Sequence, residues 1–166
     1  MPSALTVDTA AAIRIAALLI ARRQTLGVSE SSTGGLVSAA LLSVPGASAY
    51  FLGGGVIYTA AAREGLLGIT RPMMAGIRSA TEPAALLGAR TIRQRLGADW
   101  ALAETGATGP TGNRYGDAAG HCCLAVVGPD GEASRTLETG DSDRSANMVA
   151  FAAAALALLE EILSAR

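Results

Sequence analysis

The sequence predicts a three-layer α/β/α domain with a mixed, mostly parallel sheet. Half of the 166 residues are hydrophobic and 16% are charged, which is enough apolar material for one buried core. Segments with helical spacing separate most of the short apolar runs, as in parallel α/β sheets. One late pair of runs is instead joined by the turn signal at 128–131, which predicts an antiparallel hairpin. We expect residues 1–166 to form a single domain.

Apolar spacing, caps and Gly or Pro breaks predict five helices. In chain order they cover 8–24, 36–43, 60–68, 81–96 and the segment that follows Asp141–Asp143, whose carboxylates favour a helix N-terminus. The first helix should bury a face made of Ile13, Ala16, Ala17 and Ile20. The last should bury Met148, Phe151, Ala152, Ala155, Leu159 and Ile162.

Short apolar runs bounded by turn residues predict five strands. They cover 26–31, 56–58, 99–105, 120–127 and 132–138. Two glycine-rich segments, 53–55 and 106–116, are predicted to be loops, the first before the second strand and the second after the third.

Charge composition excludes several classes of function. All 13 basic residues are arginine, and 14 acidic residues bring the net charge to −1. No basic block is long enough to follow a phosphate backbone, so we expect no nucleic-acid partner, and a P-loop is excluded because it requires a lysine. The apolar stretch 10–21 is interrupted by Arg14 and is too short to span a bilayer. We therefore expect a cytoplasmic protein with no membrane partner.

The cysteine and histidine content predicts neither a metal site nor a cofactor. Cys122 and Cys123 are adjacent, so on a strand they point to opposite faces and a disulfide between them would be strained. We expect two free, buried thiols in a reducing compartment. One such pair and a single histidine, His121, do not match known metal-ligand spacings.

The segment Glu30-Ser31-Ser32-Thr33-Gly34-Gly35 joins a predicted strand to a predicted helix. A serine on such a turn lies beside the unpaired N–H groups of the helix start, which can hold an anion or stabilise an oxyanion. The alternative is that Ser32 or Thr33 simply caps the helix.

Two further segments end predicted strands. In 106–112 the closely spaced glycines allow a ligand to approach the backbone, or else form a surface loop that requires positive φ. In 58–63, Tyr58 and Arg63 are placed to reach the same crevice. Strand ends in open α/β sheets are the usual ligand site, so we expect 30–35, 58–63 and 106–112 to converge on one.

These residues resemble the CinA C-terminal domain family, in order and nearly without gaps from about residue 10 onward. The resemblance is carried by Glu30–Gly35, Pro45–Phe51, Tyr58, Leu66–Ile69, Ser79–Pro83, Gly106–Pro110, Gly120 and Gly140-Asp141. It implies a three-layer α/β/α fold. In the active members it also implies nicotinamide-nucleotide amidohydrolase activity, which converts nicotinamide mononucleotide to nicotinic acid mononucleotide in pyridine-nucleotide salvage.

The resemblance also implies roles for residues. Ser31 falls on the nucleophile position, Tyr58 on the strand-end tyrosine, and Arg63 on the position of the family's catalytic lysine. The substrate-binding positions it implies are Glu30, Ser32, Thr33, Gly34, Gly35, Gly106, Thr108 and Gly109. The backbone N–H groups of Ser32 to Gly34 would serve as oxyanion donors.

The sequence departs from the family at several of its polar positions. Arginine stays charged at ordinary pH, so Arg63 cannot act as the base that a serine nucleophile requires, although its guanidinium, directed toward Ser31, could pair with an anion. Ala60 replaces an asparagine, Asp117 a lysine and Ser142 an arginine. His121 is either a replacement base or a strand residue, exposed or packed, that folding and activity do not need, and we expect the latter.

Three functions stay open from the sequence. The first is an amidohydrolase acting on nicotinamide mononucleotide with an altered base. The second is a non-catalytic homologue that binds a pyridine nucleotide or another phosphate-bearing small molecule. The third is an interaction protein whose alanine-rich helices form a homo-oligomer.

Overall fold

The structure is a computed structural model that describes residues 1 and 3–165. Within them the strands are β1 (Leu26–Glu30), β2 (Phe51–Val56), β3 (Trp100–Ala107), β4 (His121–Gly128) and β5 (Gly131–Glu138). They form one sheet in the order β2-β1-β3-β4-β5. β1 pairs in parallel with β2 and β3, whereas β4 pairs antiparallel with β3 and β5. The predicted mixed, mostly parallel sheet is confirmed, because among these strands β4 alone runs against the others.

The helices cover both faces of the sheet. They are α1 (Thr9–Arg22), α2 (Leu36–Leu42), α3 (Ala60–Ala62), α4 (Glu82–Leu96) and α5 (Arg144–Ser164), and a π-helical turn at Arg63–Leu67 continues α3. α1, α2 and α5 pack on one face of the sheet and α4 packs on the other. This arrangement confirms the three-layer α/β/α fold.

Successive side chains of the strands point to opposite faces of the sheet, and this divides the core into two clusters. In β3, Trp100 and Leu102 face α1 and α5, whereas Ala101 and Ala103 face α4. Successive side chains of a strand point to opposite faces, so a fully buried strand contributes to both clusters. Cys122 and Cys123 divide in the same way, and both are free and buried as the sequence predicts.

The glycines at 53–55 lie inside β2, so the prediction of a loop there is wrong. The edge strand passes close to its neighbours: a Cβ on Gly54 would lie 2.7 Å from Ser38 Oγ and 3.0 Å from the carbonyl oxygen of Val28. Only glycine allows this approach. β3 likewise continues through Gly106, where a Cβ would lie 2.5 Å from the carbonyl oxygen of His121.

The buried face of α1 also differs from the prediction. Ile13, Ala17 and Ile20 are exposed, whereas the predicted Ala16 is buried, together with Ala11, Ala12, Ile15 and Leu19. Apolar residues surround most of this helix, so their spacing does not fix which face packs. The face of α5 is predicted better, because Phe151, Ala152, Ala155 and Leu159 are all buried.

α5 also has a length and composition that would suit a membrane span. In the structure its buried residues pack against β4 and against α1 and α2. A core helix of an α/β domain passes the same test of length and composition. Core packing therefore accounts for the hydrophobicity of α5.

Candidate active site

A pocket of about 900 Å³ opens at the carboxyl ends of β1, β2 and β3. Its lining comes from the strand ends at 29–31, 57–60 and 104–106, from the segments 76–80 and 113–115, and from the first turns of α4. Parallel strands end at the same edge of the sheet, and this edge is where open α/β sheets hold ligands.

The structure brings part of the predicted site together. The predicted residues that line the pocket are Glu30, Ser31, Tyr58, Arg63 and Gly106. Ser32, Thr33, Gly34, Gly35, Thr108 and Gly109 are not in this lining.

The loop that carries Gly109 nevertheless lies beside the pocket. The Arg144 guanidinium donates hydrogen bonds to the carbonyl oxygen of Gly109, at 2.6 Å, and to the Tyr58 hydroxyl, at 3.1 Å. The three predicted segments are therefore neighbours in space. The roles assigned to their residues stay predictions.

Glu104, which the sequence reasoning did not select, organises the turn that holds Ser31. It is 4% exposed. Its carboxylate accepts hydrogen bonds from the backbone N–H groups of Ser31 and Thr33, both at 3.0 Å, and from the Ser32 hydroxyl. The sequence did contain a signal for this role, because Glu104 is a charged residue between the apolar start of β3 and its glycines. Glu is almost never fully buried unless it is paired, so a Glu in a buried strand indicates hydrogen-bond partners.

Glu30 is held in a similar way on the neighbouring side of the turn. Its carboxylate accepts from the backbone N–H groups of Gly35, Val37 and Ser38 at 2.9–3.1 Å. The Thr33 hydroxyl lies 2.8 Å from Glu30 and 2.9 Å from Glu104, and so bridges the two carboxylates. The Glu30 carboxylate thus caps the start of α2, and the N–H groups that donate to it stabilise the buried carboxylate.

These contacts revise two expectations for this turn. The hydroxyls of Ser32 and Thr33 donate to carboxylates and do not cap α2, whose N-cap residue is Gly35. The N–H of Thr33 donates to Glu104 and that of Gly34 to the carbonyl oxygen of Ser31, at 3.2 Å. Two of the three predicted oxyanion donors are therefore used inside the protein.

Ser31 and Arg63 both line the pocket, but no described hydrogen bond joins them. The Nε atom of Arg63 is buried and has no hydrogen-bond partner among the described residues. The carboxylates nearest Ser31 are engaged as acceptors of N–H and O–H groups. Within the described part of the chain, no group forms the hydrogen bond that would activate the Ser31 hydroxyl as a nucleophile.

His121 lies outside the pocket lining and forms a buried structural contact. Its Nε2 is 2.8 Å from the carbonyl oxygen of Ala80, and its Nδ1 pairs with the Glu138 carboxylate. Burial opposes the charged imidazolium, but these two bonds and the charges of Glu138 and Asp117 raise the pKa of His121. Ala80 has φ of 56°, so the hydrogen bond from His121 stabilises a residue with a strained backbone. The expectation that folding does not need His121 is therefore not supported by its contacts.

The glycines at 106–112 serve backbone packing. Gly109 has φ of 109°, and a Cβ there would lie 2.7 Å from the carbonyl oxygen of Ser142. The adjacent Thr108 is buried, and its carbonyl oxygen accepts a bond of 2.8 Å from the Asn147 side chain. Gly109 therefore fits the need for positive φ, whereas the approach of a ligand to this segment stays a prediction.

A family model of the CinA C-terminal domain matches residues 8–163. The chain belongs to the CinA C-terminal domain family. A CinA-like protein of Parasynechococcus marenigrum is 40% identical over 136 residues, which is 82% of this chain and 32% of that protein. One from Chlorobium limicola is 34% identical over 155 residues, 91% of this chain and 36% of that protein. The chain thus spans about a third of the length of these curated relatives.

Solved structures of the CinA superfamily have the same fold. A Klebsiella pneumoniae member matches with a TM-score of 0.88 and 27% identity over 95% of this chain and 98% of its own. The competence/damage inducible protein of Agrobacterium tumefaciens matches with a TM-score of 0.87 and 29% identity, over 98% of this chain and 99% of its own. The family resemblance and the fold predicted from the sequence are both confirmed.

Proposed function

We propose that this CinA-family chain binds a phosphate-bearing pyridine nucleotide in the pocket at Ser31 and hydrolyses its amide slowly or not at all. The observation that carries the proposal is the position of Arg63. It takes the place that the family resemblance assigns to a catalytic lysine, and it lines the same pocket as Ser31. A guanidinium keeps its charge, so it can hold an anion but cannot remove the serine proton.

The surrounding groups support a binding role over an efficient hydrolase. Amide hydrolysis needs a base in hydrogen-bond reach of the nucleophile. Glu30 and Glu104 each accept several N–H and O–H donors, so their oxygens are already used inside the turn that holds Ser31. Tyr58 is 60% exposed, and its hydroxyl accepts from Arg144.

Ammonia release from nicotinamide mononucleotide, measured beside ligand-induced thermal shifts, tests the proposal. We expect a thermal shift with little or no release, because general-base help is commonly worth about 10² to 10⁴ in rate. A ligand at a hundredfold excess over its Kd raises the free energy of unfolding by about 2.7 kcal/mol, which a thermal scan detects. Arg63→Lys should raise the rate if the pocket still desolvates the amine.

Ser31→Ala is the matched control for that assay. Robust wild-type turnover that Ser31→Ala abolishes would show that a base acts on Ser31, and the amidohydrolase function would then replace this proposal. Neither release nor a thermal shift would favour the third function, an interaction protein. The proposal also includes a homo-oligomer and the lack of a nucleic-acid partner. It further includes a cytoplasmic location, with which the two free thiols are consistent.

A further inference from the structure

The segment 76–80 forms one wall of the pocket. It lies between a 3-10 turn at Pro72–Met74 and the start of α4, outside regular secondary structure. Of these five described residues Ala80 alone is buried, with 4% of its surface exposed. Ala80 has φ of 56°, a conformation that a non-glycine residue keeps only where its surroundings hold it. The contacts of Ala80 therefore decide where the wall 76–80 lies.

Both ring nitrogens of His121 face hydrogen-bond acceptors. Nε2 lies 2.8 Å from the carbonyl oxygen of Ala80, and Nδ1 pairs with the Glu138 carboxylate. Neither a carbonyl oxygen nor a carboxylate donates a proton, and a neutral imidazole has only one N–H group. The two hydrogen bonds can therefore exist together only if His121 is an imidazolium.

The charged groups around His121 favour this protonation state. Glu138 approaches from β5, and Asp117 approaches from the preceding loop with its Oδ2 atom 3.8 Å from Nε2. The nearby cation is Arg78 of the wall, which pairs with Asp117 at 2.6 Å and 3.2 Å. Glu82, at the start of α4, accepts hydrogen bonds from two hydroxyls of β5. Burial opposes the charge, but the contacts with Glu138, Ala80 and Asp117 raise the pKa of His121.

Loss of this proton would remove the bond to Ala80. A hydrogen bond to a charged acceptor is stronger than one to a neutral acceptor, so the remaining proton stays on Nδ1 beside the Glu138 carboxylate. The lone pair of Nε2 then faces the carbonyl oxygen of Ala80, which also carries lone pairs. The Cys123 thiol, 3.6 Å from that oxygen, is a weak donor and does not replace the imidazolium. Burial raises the pKa of this thiol, so Cys123 stays neutral.

We propose that His121 is a positioning residue of the pocket: its imidazolium holds the wall 76–80 through the Ala80 carbonyl, and the wall is released when His121 loses its proton. Asp117 couples the same proton to a second point of the wall, because it pairs with Arg78. The shape of the pocket therefore depends on pH through a side chain that does not line it. The inference goes beyond the proposed function, since it concerns the wall and not the ligand.

An NMR titration of the full chain from about pH 5.5 to 9 tests this coupling. The imidazole of the single histidine gives its own signals, and the methyl groups of Ile77 and Ala80 report on the wall. We expect both sets of signals to change with one apparent pKa, which lies above 6.5. The methyl signals of Ile15, which is buried against the other helical layer, should not change.

Glu138→Gln distinguishes an effect of charge from an effect of packing. The Glu138 side chain is 58% exposed, so this variant should fold normally. Loss of the carboxylate charge should lower the apparent pKa of the imidazole, and the wall signals should follow it to the same lower value. Glu132→Gln is the matched control and should leave the transition unchanged, because Glu132 lies on the same strand but pairs with Arg90. In His121→Asn the wall signals should no longer change with pH.

Three results would overturn the inference. The first is a neutral imidazole at pH 6, and the second is a wall whose signals stay constant while His121 titrates. The third is a Glu138→Gln protein in which the imidazole transition moves and the wall transition does not. If His121→Asn does not fold, the two glutamate variants still decide between these results. None of the readouts requires a ligand, so failure of the proposed function and failure of this inference are distinguishable.

Discussion

Removal of the Glu104 carboxylate tests whether it holds the Ser31 turn in place. In Glu104→Ala, the N–H groups of Ser31 and Thr33 and the hydroxyl of Ser32 lose their acceptor. A buried donor left without a partner costs about 1–3 kcal/mol, and neighbouring groups relax in part, so we expect a loss of about 3–6 kcal/mol in the free energy of unfolding. For a domain of this size that corresponds to a decrease of roughly 10 °C or more in Tm.

Glu104→Gln is the matched control for this prediction. Its side-chain oxygen can still accept from the two N–H groups and its amide can donate to the Ser32 hydroxyl, so we expect a loss of only about 1 kcal/mol. Urea unfolding of both variants can be followed by the fluorescence of Trp100, the single tryptophan, which is 2% exposed. A loss below about 1 kcal/mol in Glu104→Ala, or equal losses in the two variants, would refute the role of Glu104 as the acceptor for this turn.

Two other predictions concern His121 and the thiols. Because the folded protein raises the pKa of His121, its contribution to stability is fully present below the unfolded value near 6.5 and is lost as the pH rises through the folded pKa. His121→Asn should therefore lower the free energy of unfolding, measured in urea, by about 1–2 kcal/mol at pH 6 and by less at pH 9. An equal loss at the two pH values would contradict a charged imidazolium at His121 in the folded protein. Burial raises the pKa of Cys122 and Cys123, so a thiol reagent should modify them only in urea, and rapid reaction of the native protein would be the contrary result.

Part of the pocket lining could be predicted because strand ends and turn residues are local features. Glu30, Ser31, Tyr58 and Arg63, which line the pocket, lie at or just after predicted strand ends, and the parallel sheet brings these strand ends to one edge. The role of Glu104 could not be predicted in this way. Its partners are more than 70 positions away in the chain, and only the pairing of β1 with β3 places the carboxylate under the Ser31 turn.

The sequence by itself determined the fold class, the family, most helices and strands, and the absence of a lysine that could activate Ser31. These properties depend on local spacing and on residue identity. Tertiary structure decided the rest, because close approach and charge pairing join distant segments. It placed the glycines at 53–55 inside an edge strand, selected the buried face of α1, and paired Asp117 with Arg78. It also set Arg63, Arg114 and Tyr115 around one pocket, although the two arginines lie about fifty positions apart in the chain.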